Sequence, residues 1–130
     1  MLQLRSSNSE VEIQFSDVVE DYFRVSVVAR DHSASRKVYA YTDAHGVVKM
    51  FAEAARDWKG WQGAKVWQSL EGELRLELRA DHLGHVSLRA EIRSDPGGAD
   101  PWRLDAEVGL DSGQLDSIVA GAKALWGNGG

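Results

Sequence analysis

Apolar and polar residues alternate over most of this chain. Val11, Ile13 and Phe15 face one way while Glu10, Glu12 and Gln14 face the other, and Phe23, Val25, Val27 and Ala29 alternate with Arg24, Ser26, Val28 and Arg30. After the polar run Asp31-His32-Ser33-Ala34-Ser35, a turn former, Val38 and Ala40 alternate with Tyr39 and Tyr41. A period of two is the pattern of a half-buried strand. The three runs therefore predict an antiparallel meander with one wetted face. The period then lengthens. Val47, Phe51, Ala54 and Trp58 recur at three- and four-residue spacing, the stripe of an amphipathic helix. Thr42 or Asp43 can cap its start by accepting from a free backbone N–H, and Gly60 can end it.

The second half follows the same plan. Leu74, Leu76 and Leu78 alternate with Glu73, Arg75, Glu77 and Arg79; Val86, Leu88, Ala90 and Ile92 alternate with His85, Ser87, Arg89, Glu91 and Arg93. Asp81-His82-Leu83-Gly84 supplies the turn. Charge sets the expected register. Placing Glu77 opposite Arg89 also opposes Arg75 to Glu91 and Glu73 to Arg93, whereas a two-residue slip would face like charges, which disfavour pairing. Residues 94–101, with two prolines and two glycines, predict a loop. A strand over Trp102–Leu110 follows. A last helix is expected with Asp111 and Gln114 as a capping box and Leu115, Ile118, Val119, Ala122 and Leu125 as its stripe. Residues 127–130 predict a frayed end. The chain thus reads as one α+β domain over residues 1–130, with an antiparallel sheet of about six strands and two helices in the order βββα–βββα. The two halves share a plan without sharing a residue pattern.

Composition narrows the function classes. At 130 residues the chain has the usual size of a single domain, large enough to bury a core without a disulfide or metal staple. There is no cysteine, which removes a disulfide framework, a thiolate zinc site and a cysteine nucleophile. No stretch has the length of a membrane span or the pattern of a signal peptide, so a cytoplasmic protein is expected. The net charge is −5. Residues 1–60 carry eight Lys/Arg against nine Asp/Glu, and residues 61–130 seven against eleven. Such a balance weighs against a phosphate-binding stripe and suits a basic protein partner.

Aromatic residues are most concentrated in the run Trp58-Lys59-Gly60-Trp61-Gln62-Gly63-Ala64-Lys65-Val66-Trp67-Gln68-Ser69-Leu70-Glu71-Gly72, which holds three of the five tryptophans. It is read as a helix-to-sheet corner whose indoles plug the end of the core, with an exposed aromatic platform as the competing reading. This run, continued by Glu73-Leu74 and followed by Gly84-His85-Val86, resembles the bacterial family catalogued as domain of unknown function 6228. The resemblance covers most of the chain. It implies a small bacterial domain and brings no catalytic residues with it.

Other side chains offer less. His82 and His85 flank a turn beside Asp81, but two imidazoles do not complete a metal site. His32 and His45 belong to no motif. His45, near a helix start, would be disfavoured there as a cation. The Glu/Arg rows of the second half, continued by Arg103, Asp105 and Glu107, read as a solvated sheet face of weak pairs or as a surface for a charged partner. No phosphate loop, dinucleotide fingerprint, nucleophile elbow or zinc-protease motif is present, so no cofactor and no catalytic residue is expected. Three functions compete. The first is a non-catalytic protein-binding module, such as an immunity or antitoxin-type protein that blocks a basic toxin-like partner. The second is a small-ligand domain or enzyme with a pocket near Trp58, Trp61 and His45. The third is a single-strand nucleic-acid binder, similar in plan to the Whirly type, that stacks bases on Tyr39 and Tyr41. The first is preferred, with Trp61, Trp67, Arg89 and Glu91 as the candidate binding residues. A sheet with one open face could also form a homodimer.

Overall fold

The computed structural model describes residues 1–40, 45–94, 98–99 and 101–127. The first four strands, β1 (Leu2–Arg5), β2 (Glu12–Val19), β3 (Tyr22–Val28) and β4 (Ser33–Tyr39), form one antiparallel sheet in sequence order and lead into helix α1 (His45–Arg56). Strands β5 (Lys65–Gln68), β6 (Leu74–Ala80), β7 (His85–Arg93) and β8 (Arg103–Asp111) form a second such sheet. A 3₁₀ turn, Ser112–Gln114, then leads into helix α2 (Leu115–Trp126).

The α+β class and the antiparallel pairing hold, but the expected six strands are eight and the order is ββββα–ββββα. Both additional strands are four residues long, too short to carry a readable period. β1 buries Leu2 and Leu4. β5 lies within the tryptophan-glycine run expected to form a corner. β4 also starts earlier than expected, because Ser33, Ala34 and Ser35 pair with Val28, Val27 and Ser26 rather than forming a turn. Helix α1 ends at Arg56, so Trp58 lies beyond its stripe and is 54% exposed. The expected caps Thr42 and Asp43, as well as Tyr41 and the tail from Asn128, lie outside the described residues. In the second helix Gln114 does reach back, its side-chain oxygen accepting from the Asp111 N–H at 2.8 Å.

The register expected from charge is the one observed, with Glu77 opposite Arg89 and Arg75 opposite Glu91. The ladder reaches Glu73, whose carbonyl accepts from the Arg93 N–H at 2.9 Å.

One core serves both sheets. Phe23 of β3 lies at its centre, 6.0 Å from the Trp67 ring of β5 and 5.3 Å from the Trp126 ring of α2. Trp126 also meets Phe15 of β2 edge-on at 5.4 Å, a favoured arrangement of ring quadrupoles. Helix α2 lies close on β1: a Cβ at Gly121 would come within 2.8 Å of the Leu2 side chain. Polar bonds tie the sheets at two further places. The β1–β2 loop closes on β8, where the Ser7 N–H donates to the Gly109 carbonyl at 2.8 Å and the Ser6 hydroxyl accepts from the Gly109 N–H at 3.0 Å. At the other, the buried Glu73 carboxylate accepts from the Tyr39 N–H of β4 at 2.8 Å and from the Ser69 hydroxyl at 2.8 Å. Close by, Arg36 Nε donates to the Arg93 carbonyl at 3.2 Å.

Candidate functional site

The β2–β3 hairpin departs from the regular pattern in a way that changes what the first sheet shows to solvent. Ile13 and Phe15 point into the core, so strict alternation would turn Asp17 inward after them. That would bury a carboxylate. Instead the register shifts by one residue between Ser16, opposite Arg24, and Val19, opposite Tyr22. The extra residue is a β-bulge, a device that re-aims side chains and is common beside functional sites. Asp17 takes up the bulge with φ 54°. Val18 packs against the core and Val19 comes out, 65% exposed. Glu20 in the two-residue turn also has a positive φ of 54°. Left-handed backbone is uncommon outside glycine and costs about 1 kcal/mol per residue. Such strain concentrates at functional sites.

Across the same face Tyr22 and Tyr39 stand opposite each other, ring centroids 5.1 Å apart, and Lys37 Nζ lies 4.4 Å from the Tyr22 ring centre. Arg24 donates to the Ser35 hydroxyl at 3.1 Å and sits 3.8 Å from Asp17. A cleft of about 460 Å³ runs between the hairpin and this row, lined by Val19, Tyr22, Phe23, Arg24, Lys37 and the carboxylate-bearing Asp17 and Glu20. Exposed apolar surface rimmed by charge is the anatomy of a protein-binding patch. The sequence pattern passes over Asp17, Val19, Glu20 and Tyr22, while Tyr39 is among the residues it offers for base stacking. The Val18-Val19 doublet and an aspartate at a core-parity position were the signals that a bulge was needed.

The four residues expected to bind are divided by the second sheet. Trp67 is buried against Phe23. Trp61 is half-buried at the corner, its indole N–H donating to the Leu78 carbonyl at 3.3 Å and its ring 4.9 Å from Lys65 Nζ. Gly60 allows that corner, since a Cβ there would lie 2.9 Å from the Asp81 carbonyl oxygen. Lys65 also ties the strand to the end of α1, 2.8 Å from Asp57. Hydrogen bonds from Arg56 and then Lys65 hold the Asp57 carboxyl down at about 2. Arg89 and Glu91 lie on the opposite, outer face. His45 is engaged elsewhere, its Nε2 2.9 Å from the Trp126 carbonyl at the end of α2.

On that outer face the ion pairs run along and diagonally between strands rather than straight across. Glu77 holds Arg75 and Arg79, Glu91 holds Arg93 and Arg103, and Asp105 holds Arg103 and Arg89. The side chains of Glu77 and Glu91 are only 12% exposed while those of Arg79, Arg89 and Arg103 are 50% exposed or more. The hydrogen bonds from Arg75 and Arg79 hold the Glu77 carboxyl below its ordinary range, and Arg103 does the same for Asp105. Among the described residues no three histidine or carboxylate side chains gather as a metal site; His85 instead places Nδ1 3.1 Å from Asp81. No helix is long and apolar enough to cross a membrane among the described residues.

A family model described as a family of unknown function, DUF6228, matches residues 4–128. The chain belongs to that family. The match takes in every strand after β1 and both helices, and so covers the tryptophan-glycine run as well as the bulged hairpin. No curated protein and no solved structure matches the chain.

Proposed function

We propose that this DUF6228 chain is a non-catalytic protein-binding module of the immunity or antitoxin type, and that the bulged β2–β3 hairpin with its Tyr22–Tyr39 face is the surface that meets the partner. The observation that carries the reading is the outward turn of Val19 beside Tyr22, with Asp17, Glu20 and Asp21 around them. Tyrosine is a frequent interface anchor, and an apolar centre within a polar rim is how such interfaces are built. Asp17 and Glu20 share the cleft with Arg24 and Lys37, so it is the net charge of −5 over the whole chain that favours a basic partner, since complementary charge speeds encounter.

The test is capture by the tagged chain from lysate of its own source, with and without nuclease, followed by titration of the purified partner. A basic protein held one-to-one despite nuclease is expected. Val19→Asp and Tyr22→Ala are each expected to weaken it roughly tenfold or more, the loss of one good interface anchor. An acidic partner, or a basic one bound equally by both variants, would count against the hairpin. Recovery that vanishes with nuclease would replace the reading with a nucleic-acid one.

A further inference from the structure

The free edges of the two sheets are not equally covered. Along an antiparallel pair, residues that exchange backbone bonds alternate with residues whose N–H and C=O point away. On β8 the alternation is fixed by the bonds at its two ends. The Ser94 N–H donates to the Trp102 carbonyl, and the Ser112 N–H to the Gly84 carbonyl. Even-numbered residues of β8 therefore bond to β7, and odd-numbered ones face outward. At Gly109 the outward edge is capped, its carbonyl taken by the Ser7 N–H and its N–H by the Ser6 hydroxyl. At Arg103, Asp105 and Glu107 no described residue bonds to the outward backbone.

The other three edges are short or engaged. β1 and β5 are four residues long. On β4 the Tyr39 N–H donates to Glu73, and the Lys37 carbonyl accepts from Arg36 Nη1 at 3.0 Å. β8 is nine residues long, pairs with β7 without a bulge and holds no proline. A long regular edge is a template for another strand, and monomeric proteins blunt such edges. Its side chains add to this. Leu104 and Ala106 have the parity of the buried Val108 and Leu110 but are only partly buried. On the outer face Glu107 is exposed, and no arginine among the described residues holds it, because Arg89 opposite pairs with Asp105 instead.

We propose that this edge pairs with the same edge of a second copy of the chain, β8 antiparallel to β8 about a two-fold axis at Asp105. The two second sheets, four strands each, then become one continuous sheet. In this register Arg103 stands opposite the partner's Glu107, and Glu107 opposite the partner's Arg103. Every outward N–H and C=O of the three residues gains a partner, about six backbone bonds in all. Opposite charges in facing positions favour pairing, so the carboxylate left unheld within one copy meets a cation of the other. Arg103 keeps its bonds to Asp105 and Glu91, which use Nε and Nη2 and leave Nη1 unengaged. The two Asp105 carboxylates meet at the axis, each already held by Arg103 and Arg89. Leu104 lies opposite the partner's Ala106. Slipping two residues one way would oppose Asp105 to the partner's Glu107 and run into the capped Gly109. Slipping the other way would set Glu107 against the partner's Pro101, which has no N–H to give. The edge is thus complementary to itself, the requirement of a two-fold dimer. It lies on a different sheet from the hairpin and does not rest on the protein-binding reading.

The test is sedimentation equilibrium of the full chain over rising concentration, with amide exchange to locate the contact. A mass approaching twice that of one chain is expected. In dilute solution the Leu104, Ala106 and Val108 N–H groups, bonded to β7, should exchange slowly and those of Arg103, Asp105 and Glu107 fast. In concentrated solution the latter three are expected to slow roughly tenfold or more as they enter a ladder. Glu107→Pro removes an N–H that the monomer does not use, a place where an edge strand tolerates proline. It is expected to weaken dimerisation roughly tenfold or more, since each dimer loses two backbone bonds at once. Should that variant fail to fold, Glu107→Arg, which opposes two arginines across the axis, is expected to weaken dimerisation by roughly fivefold. A monomer at every concentration, a dimer in which the three outward amides stay fast, or a dimer unchanged by both substitutions would overturn the proposal.

Discussion

The outer faces of the two sheets solve the same problem with different chemistry. The second is flat and regular, and its charges neutralise one another in chains that run from strand to strand, with carboxylates set low between projecting arginines. The first carries separate ion pairs, Arg5–Glu12 and Arg24–Asp17, among hydroxyls, an amide and a tyrosine pair, and it is interrupted by a bulge that exposes Val19. Both sheets have the same strand order and share one core, so topology does not dictate what a face displays. One misplaced aspartate does more to set the first face than its whole hydrophobic pattern. The comparison teaches that regular alternation makes a face predictable, and that a break in alternation is where distinctive surface is made.

The bond between the sheets is where the largest effect is expected. Glu73 belongs to β6's approach yet serves the first sheet, since its carboxylate accepts the Tyr39 N–H. Glu73→Ala would leave that N–H and the Ser69 hydroxyl without their acceptor in a buried place. Each stranded group costs ~1–3 kcal/mol, so a loss of about 3 kcal/mol in urea-induced unfolding is expected. Glu73→Gln, which keeps one acceptor, should lose less. A loss below about 1 kcal/mol for the alanine variant would mean the two faces are coupled through the apolar core alone.

Glu91→Gln comes next and acts within the second face. It removes the charge that Arg93 and Arg103 share, leaving Arg93 without a carboxylate opposite Arg103, which keeps Asp105. A loss of about 1 kcal/mol is expected, the scale of a cross-strand pair. It should shrink as salt screens the arginines. A loss that is independent of salt would show that Glu91 acts by packing instead of charge.

Much of this contrast was readable in advance on the second face and little of it on the first. Strands β6 and β7 are long, strictly alternating and marked by complementary charge, so both their existence and their pairing followed from sequence. The four-residue strands β1 and β5 were missed because pairing partners far along the chain make them strands, with Leu4 opposite Ile13 and Trp67 opposite Leu76. Trp67 was expected at a candidate surface and instead fills the core, because burial of an aromatic depends on what folds over it. Trp126, outside the expected helix stripe, became a central core residue for the same reason. The bulge was missed because its cost and benefit are both tertiary: a left-handed Asp17 is preferable to a carboxylate inside. On this chain, therefore, Asp17 and Val19 of the proposed hairpin surface lie where regular alternation breaks.

Replacing Asp17 tests that trade directly. Glycine adopts the left-handed conformation without a Cβ penalty, so Asp17→Gly is expected to raise stability by roughly 0.5–1 kcal/mol while leaving the Val19–Tyr22 register intact. Amide exchange and thermal unfolding report the two halves of the statement. A destabilised variant would show that the Asp17 carboxylate, 3.8 Å from Arg24, contributes more than its backbone costs. The first face would then depend on charge as the second does.

The smallest effect concerns protons, and it reports how the second face holds its charges. Glu77 and Asp105 are held below their ordinary values of 4.5 and 3.8, chiefly by hydrogen bonds from Arg75 and from Arg103 respectively. A carboxylate whose folded value is depressed adds stability that is present above its unfolded value and is lost as pH falls through the folded one. Between neutral pH and about pH 5 this contribution should be constant, and it should fade as acid is added below the range of ordinary carboxylates. Carboxyl carbon resonances would follow each group. Arg75→Ala is expected to move the Glu77 midpoint upward and leave Asp105 where it is, because Asp105 takes its hydrogen bonds from Arg103 and Arg89. If both midpoints moved together, the arginines would be acting as one electrostatic sheet. The pairwise anchoring that distinguishes the second face would then have to be replaced by a collective field.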